Sequence, residues 1–186
     1  MLKNRNREKF IQAILYFANN TRALGKVKLF KLLYLLDFEH FRQTGRSVTG
    51  MEYRAWKMGP VPAELVQQWD DLDDDLAAAI RIELRPVIDY ERQNVVALQA
   101  FDSEHFSTRE LRLLEDIARH YRDTLSGKMI DVTHAENGAW AKIWADGEGN
   151  DNTIPYELAV AEDDPHRDAV LEAAAHYEAI AAAQVH

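Results

Sequence analysis

The sequence contains no cysteine, so disulfide bonds, thiolate metal sites and cysteine nucleophiles are all excluded. It also lacks an excess of positive charge, because 31 acidic residues outnumber 22 basic ones and give a formal net charge of −9. Sequence-independent binding to nucleic acid needs a basic surface that displaces counterions, and this charge balance argues against it. The balance favours a partner that is neutral or basic.

Long apolar runs are also missing from the sequence. The N-terminal stretch MLKNRNREKF is charged, unlike a signal peptide, and no segment offers the roughly 18 consecutive apolar residues that a membrane span requires. We therefore expect a cytoplasmic protein that does not contact a membrane. The chain has 186 residues, 47% of them apolar, which suffices for one domain with its own core.

Helical periodicity dominates the chain and is interrupted once by a strand pattern. Residues 26–43, KVKLFKLLYLLDFEHFRQ, are apolar almost all round, which predicts a buried central helix. In AIRIELRPV, by contrast, apolar and charged residues alternate, and NVVALQAF is a plausible partner strand. We predict an α+β fold, predominantly α-helical, with six to seven helices around helix 26–43 and one small antiparallel β-hairpin at about 80–100.

Two further segments bear on the organisation of the chain. The residues from Asp164 onwards are alanine-rich, so we divide the chain into a domain over 1–162 and a C-terminal helix over 163–186, packed on the domain or extending from it. Five aspartates lie between Asp70 and Asp75, without the glycine and closing glutamate of an EF-hand. They form either a solvated helix end or an acidic surface for a basic partner.

The stretch AWKMGPVPAEL, residues 55–65, combines Trp56 and Met58 with two X-Pro pairs. It is either a structural elbow between helices or a stiff, exposed anchor for another protein, since tryptophan and methionine are enriched in interfaces. We predict that it is chiefly structural, with Trp56 mostly buried and Met58 more exposed.

A search for reaction chemistry finds no catalytic residue, no metal site and no cofactor. His40 lies on the apolar face of helix 26–43, where a histidine is more often a core residue than a ligand, and His134 with Glu136 is too small a set to bind a metal. An enzyme whose site gathers His134, Glu136 and either His40 or His105 stays open, because catalytic groups meet in space. Nucleic-acid binding would need a basic stripe, for which the only plausible start is Lys26, Lys28, Lys31 and Arg42.

Three motifs in order resemble one known family. They are KLFKLLYLLDFEHFRQTGR, YRAWKMGPVPAEL and VTHAENGAW, and together they are similar to SocA-like antitoxins of the Panacea domain, which also occur as phage-associated proteins. The third motif departs from the family pattern by the insertion of Asn137-Gly138, and the alanine-rich tail lies outside the shared part.

This resemblance implies a function that spacing alone does not give. Such proteins neutralise a toxin encoded beside them, usually by direct binding, whereas one branch acts as an adaptor that delivers the toxin to an AAA+ protease; the family is not known for enzymes. The partner expected from the resemblance is therefore a cognate protein toxin. The motif and partner-binding positions carried over are Lys28, Lys31, Tyr34, Trp56, Met58, Gly59, Pro60, Thr133, His134, Glu136 and Trp140.

These motif positions are either the frame of the fold or the contact surface for the toxin. A family that meets varied toxins should keep its frame constant and vary its contacts. On that argument the hairpin at 80–100, the aspartate run and the C-terminal helix become the candidate contact surfaces.

Overall fold

Helices form most of the fold, and two β-hairpins complete it. The structure, a computed structural model, describes residues 2–135 and 138–183. In chain order its elements are α1 (Leu2–Asn20), α2 (Lys26–Thr44), β1 (Tyr53–Trp56), β2 (Gly59–Pro62), α3 (Ala63–Gln67), α4 (Asp74–Ala79), β3 (Ile80–Val87), β4 (Tyr90–Ala97), α5 (Thr108–His120), α6 (Ser126–Ala135), α7 (Ala139–Trp144) and α8 (Arg167–Ala183). Two short 3₁₀ segments, Ala145–Gly147 and Tyr156–Ala159, lie between α7 and α8.

The predicted fold class, α+β and predominantly α-helical, is confirmed. The described residues form eight α-helices instead of six or seven. They also form two hairpins instead of one. Among the described helices, none combines the length and apolar composition that a membrane crossing requires.

Helix α2 is buried along most of its length. It ends at Gly45, which adopts a left-handed conformation (φ 72°) and donates its N–H to the carbonyl of Phe41 at 2.8 Å. The helix packs against α1, α5, α6, α8 and both hairpins, which explains why its apolar residues are not confined to one face. Its buried residues are Lys28, Leu29, Phe30, Lys31, Leu32, Leu33, Tyr34, Leu35, Leu36, Asp37, Phe38, His40 and Phe41.

Asp37 is a fully buried acid that ties α2 to the segment leading into β1. Its carboxylate accepts backbone N–H groups from Val48 at 2.8 Å and Thr49 at 2.7 Å. It also accepts the hydroxyls of Thr49 at 2.5 Å and Tyr53 at 2.7 Å. Burial raises the pKa of Asp37, and these donors oppose that effect by stabilising the charged form.

The first hairpin, β1–β2, was missed by the sequence analysis because β2 reads Gly-Pro-Val-Pro, and proline cannot donate to a ladder. The structure shows how both prolines are tolerated. A residue's N–H and C=O point to the same edge of a strand, and the Pro60 carbonyl accepts Lys31 Nζ of α2 at 2.8 Å. Pro60 and Pro62 therefore direct their missing N–H groups away from β1.

The second hairpin, β3–β4, is where the strand pattern predicts it, with Ile80 opposite Ala97 and Val87 opposite Tyr90. Its two ends differ in environment. Ile80 and Val95 are buried at the base, whereas the outer half, from Leu84 through the turn at Ile88 and Asp89 to Glu91, is largely solvated. The hairpin thus projects from the body of the protein.

A capping box begins α5. Ser107 Oγ accepts the N–H of Glu110 at 3.3 Å, and Glu110 Oε2 accepts the N–H of Ser107 at 2.7 Å. The helix ends at His120, and Gly127 lies in the first turn of α6.

The aspartate run is partly engaged within the protein. Arg7 of α1 bonds to Asp75 at 2.6 Å and Asp73 at 3.2 Å, and also to Glu64 at 2.5 Å. Asp70, Asp71 and Asp74 remain exposed. The run therefore holds α1 against the start of α4 through one arginine and is otherwise solvated.

Helix α8 packs against the C-terminal end of α2. A Cβ atom at Gly45 would lie 2.5 Å from the carbonyl oxygen of Val170 and 2.8 Å from the amide nitrogen of Ala174, so this close approach requires glycine. The guanidinium of Arg46 lies 4.8 Å from the ring centre of Tyr177. The division of the chain at residue 162 stays a prediction.

Gly59 and Gly127 provide a matched pair of substitutions. Gly59 has φ of 102°, and a Cβ atom there would lie 2.9 Å from both Cε and Nζ of the buried Lys31 and 3.1 Å from Thr133 Oγ1. Gly59→Ala should therefore lower the free energy of unfolding by about 2–4 kcal/mol, from backbone strain and overpacking together. Gly127 is helical with nothing within 4 Å of its Cβ position, so Gly127→Ala should stabilise by up to about 1 kcal/mol.

Urea denaturation of both variants checks this pair. Equal stability of Gly59→Ala and wild type would contradict the close packing of the first hairpin on α2.

Candidate functional site

The three sequence motifs meet at the contact between α2, the first hairpin and α6. Lys31 of the first motif donates to the Pro60 carbonyl of the second at 2.8 Å. Thr133 of the third motif is fully buried beside them, and Gly59 is the point at which the hairpin backbone approaches both side chains. Residues far apart in sequence therefore form one packed cluster.

A second contact joins the hairpin to α7. The indole N–H of Trp140 donates to the Trp56 carbonyl at 2.9 Å. The His134 ring lies parallel to Trp140, with 3.8 Å between ring centres and an interplanar angle of 1°, and Trp144 continues the stack at 5.7 Å. The stack holds the end of β1 through the backbone carbonyl of Trp56. The Trp56 side chain takes no part in this hydrogen bond.

Two lysines of α2 are buried and form no salt bridge with an acid among the described residues. Lys31 is 1% exposed and bonds to a carbonyl, and its burial lowers its pKa from 10.5 to about 7. Lys28 is also inaccessible and donates to the carbonyls of Arg22 and Arg122, both at 2.9 Å. Burial, partly offset by Asp123, lowers the pKa of Lys28 to about 8.

The expected burial of Trp56 is wrong. Its side chain is 39% exposed because β1 alternates, which places Tyr53 and Ala55 inward and turns Trp56 outward. Its indole N–H donates to Asp151 at 2.9 Å. Met58, in the turn, is 55% exposed and is the more open of the two, as expected.

An apolar pocket of about 380 Å³ lies beside this turn. The aliphatic and aromatic surfaces of Phe30, Val61, Trp56 and Met58 contribute to its walls, together with Lys26. The ammonium group of Lys26 lies 5.8 Å from the ring centre of Phe30, a cation–π distance. The pocket offers apolar contact and positive charge, and Lys31, which bonds to the Pro60 carbonyl, also lines it.

The structure separates the histidines considered for an enzyme. His40 is buried, and its Nδ1 lies 2.6 Å from the Arg46 carbonyl oxygen. Among the described residues no carboxylate hydrogen-bonds to His134, whose Nε2 is buried without a partner there and whose pKa is lowered by burial and by Lys31. Glu136 lies outside the described residues. No group of acidic or histidine side chains able to hold a metal ion occurs in the described part.

Tyr34, the remaining motif position, is also inside the fold. It is fully buried and packs on Phe38 and Tyr53, at 4.1 and 5.5 Å between ring centres.

The structure does not form the basic stripe considered for nucleic-acid binding. Lys28 and Lys31 are buried, and only Lys26 and Arg42 reach the surface.

Comparison with known proteins shows the family of the chain. The family model described as antitoxin SocA-like, Panacea domain, matches residues 29–141. The protein belongs to this family. The matched segment contains all three motifs except for Lys28 at its edge, and it ends just after Trp140 of the stack. No curated protein and no solved structure matches the chain at a significant level. Membership in the Panacea family implies an antitoxin role with a toxin as the partner.

Two features of this Panacea domain were not predicted from the sequence: the buried acid Asp37 and the exposed apolar end of the second hairpin. Asp37 stands inside the first motif, and a lone acid within an apolar helix is a signal that could have indicated a buried polar anchor. The exposed apolar residues at the outer end of the second hairpin lie in a segment whose strand pattern was recognised, but alternation alone does not tell how far a hairpin projects.

The buried lysines predict a specific pH dependence of stability. The folded state binds fewer protons than the unfolded state between the lowered pKa of Lys31, about 7, and its ordinary value of 10.5. The free energy of unfolding should therefore rise with pH across this window, and Lys28 adds to the rise above about 8. Lys31→Met should make the rise smaller, whereas the exposed Lys128→Met should leave it unchanged.

Chemical denaturation at several pH values between 7 and 10 measures this difference. A rise in Lys31→Met as steep as that of wild type would show that Lys31 keeps its ordinary pKa in the folded protein.

Proposed function

We propose that this Panacea-domain protein neutralises a toxin encoded beside its gene by binding the toxin directly, and that the outer half of the second hairpin is its main contact surface. The observation that carries the proposal is the exposure of Leu84 (61%), Ile88 (98%) and Tyr90 (60%), three large apolar side chains within seven positions. Together with the backbone between them they define the hairpin tip.

An apolar hairpin tip in water is unfavourable for an isolated protein. Each side chain forgoes the free energy of burial, of the order of 1.5–3 kcal/mol for a large apolar residue. The strands also leave both outer edges of a two-stranded sheet unpaired at this end. Partner binding would bury the side chains and could extend the sheet, which is one known mode of protein recognition.

The buried motifs support this division of roles. Lys31 and Thr133 meet at Gly59 inside the protein, and the buried Trp140 bonds to the Trp56 carbonyl of the same hairpin. A toxin cannot reach these groups without unfolding the domain. These residues maintain the fold of the domain. The hairpin tip, by contrast, has little packing to preserve, so its side chains are free to suit a particular toxin.

Direct inhibition differs from delivery to an AAA+ protease in its requirements. In the mechanism we propose, purified antitoxin suffices to block the purified toxin at a stoichiometric ratio, without protease or ATP. A toxin that stays active until protease and ATP are added would establish the adaptor mechanism instead.

One exposed apolar residue can be tested on each candidate surface. Ile88→Glu changes the hairpin tip, Met58→Glu changes the first turn, and Ile180→Glu changes α8, whose Ile180 is 43% exposed. Growth of cells that co-express the neighbouring toxin gene gives neutralisation, and titration of purified toxin gives affinity. Ile88→Glu should weaken binding about 30-fold or more, as expected for a hot spot, with melting unchanged.

Met58→Glu and Ile180→Glu are matched controls, and each also tests an alternative contact surface. They should bind and neutralise as wild type does. If Ile88→Glu keeps full affinity while Met58→Glu or Ile180→Glu loses it, the contact lies at the first turn or on α8 and our assignment is wrong. Absence of any binding by wild type would overturn direct neutralisation itself.

A further inference from the structure

A polar pocket whose lining includes three arginines and a lysine lies on the surface formed by α1, the C-terminal end of α2, the start of α5 and α8. Its volume is about 350 Å³, within the range of small-molecule sites. Arg5, Arg46 and Arg109 line it, together with Lys9 and His40. This concentration of positive charge is unexpected in a chain whose net charge is −9.

The three arginines lack acidic partners. Among the described residues, no carboxylate forms a salt bridge with Arg5, Arg46 or Arg109. Arg109 makes one long bond to the Gln43 amide oxygen at 3.5 Å, and Arg46 lies over the Tyr177 ring. Other arginines are paired with acids, as Arg7 is with Asp75 and Arg119 with Glu115, but Arg92, Arg112, Arg122 and Arg167 also form no salt bridge in the described residues, so what distinguishes the pocket is that three such arginines line one cavity.

The acid in the pocket wall is already neutralised. Glu110 bonds to Lys9 at 2.5 Å and accepts the N–H of Ser107 at 2.7 Å. Burial raises the pKa of Glu110, but these bonds outweigh burial and leave its pKa below the usual value. Lys9 and Glu110 therefore cancel, and the three guanidinium groups remain as uncompensated charge.

We propose that this pocket binds the phosphate group of a small phosphate monoester. Guanidinium groups present planar pairs of N–H donors that match phosphate oxygens, and a phosphate monoester carries a charge of about −1.5 to −2 at neutral pH. A single carboxylate would leave most of the positive charge unbalanced. Ser107 begins α5 and lines the pocket, so the positive end of that helix dipole adds to the attraction.

The site is independent of the toxin-binding proposal. It is built from α1, α2, α5 and α8, whereas the hairpin tip belongs to β3 and β4. A loss of phosphate binding therefore need not alter neutralisation, and failure of either proposal leaves the other standing.

The test is calorimetric titration and thermal shift with inorganic phosphate, adenosine 5′-monophosphate and adenosine, all at one constant ionic strength. We expect saturable binding of phosphate and of the monophosphate, each of which raises the melting temperature, and no binding of adenosine. Arg109→Gln and Arg5→Gln should each weaken binding about tenfold or more, because each removes a charge-assisted contact. Neither arginine supports the fold through an ion pair in the described residues.

Arg119→Gln is the matched control, since Arg119 lies on the same helix as Arg109 but outside the pocket. It should bind phosphate as wild type does. The proposal is overturned if neither phosphate nor the monophosphate binds, if adenosine binds as well as the monophosphate, or if Arg119→Gln weakens binding as much as Arg109→Gln. Binding of a single-stranded oligonucleotide without binding of either small phosphate would also overturn it, in favour of a nucleic-acid site.

Discussion

The fold depends on one buried lysine amine, which hydrogen-bonds to a carbonyl and to no acid in the described residues. Lys31 is inaccessible and bonds to Pro60, which places the first hairpin against α2. Burying such a group is costly unless its donors are satisfied. The surroundings meet this demand: Gly59 leaves room for the amine, and the Pro60 carbonyl accepts its hydrogen bond. A change at any of these positions disturbs the others.

This constraint separates the parts of the domain that must stay fixed from those that can vary. Lys28 repeats the same principle one turn earlier in α2, where it bonds to carbonyls after α1 and after α5. Asp37 adds an acidic counterpart on the next turns, satisfied by four donors. All three polar groups serve packing. Large exposed apolar side chains lie elsewhere, among them Trp56 and Met58 at the first hairpin and Leu84, Ile88 and Tyr90 at the end of the second.

Much of this architecture could be predicted from the sequence, because its signals are local. The apolar pattern of α2, the alternation of β3 and β4 and the capping box at Ser107 each specify structure within a few residues. The first hairpin was missed because two prolines conceal a strand whose carbonyl partner, Lys31, is distant in sequence. The exposure of Trp56 and the pocket around Arg5 and Arg109 also depend on tertiary packing, which no local period encodes.

The central claim is that the motifs form an internal frame and that the toxin meets the hairpin tip. Hydrogen–deuterium exchange of the protein alone and bound to its toxin tests it most directly, since exchange reports local protection of each backbone segment. The account predicts that the toxin slows exchange across residues 83–92, with no comparable change in β1, β2 or α8. Protection confined to β1 and β2, or to α8, with residues 83–92 unaffected, would contradict it.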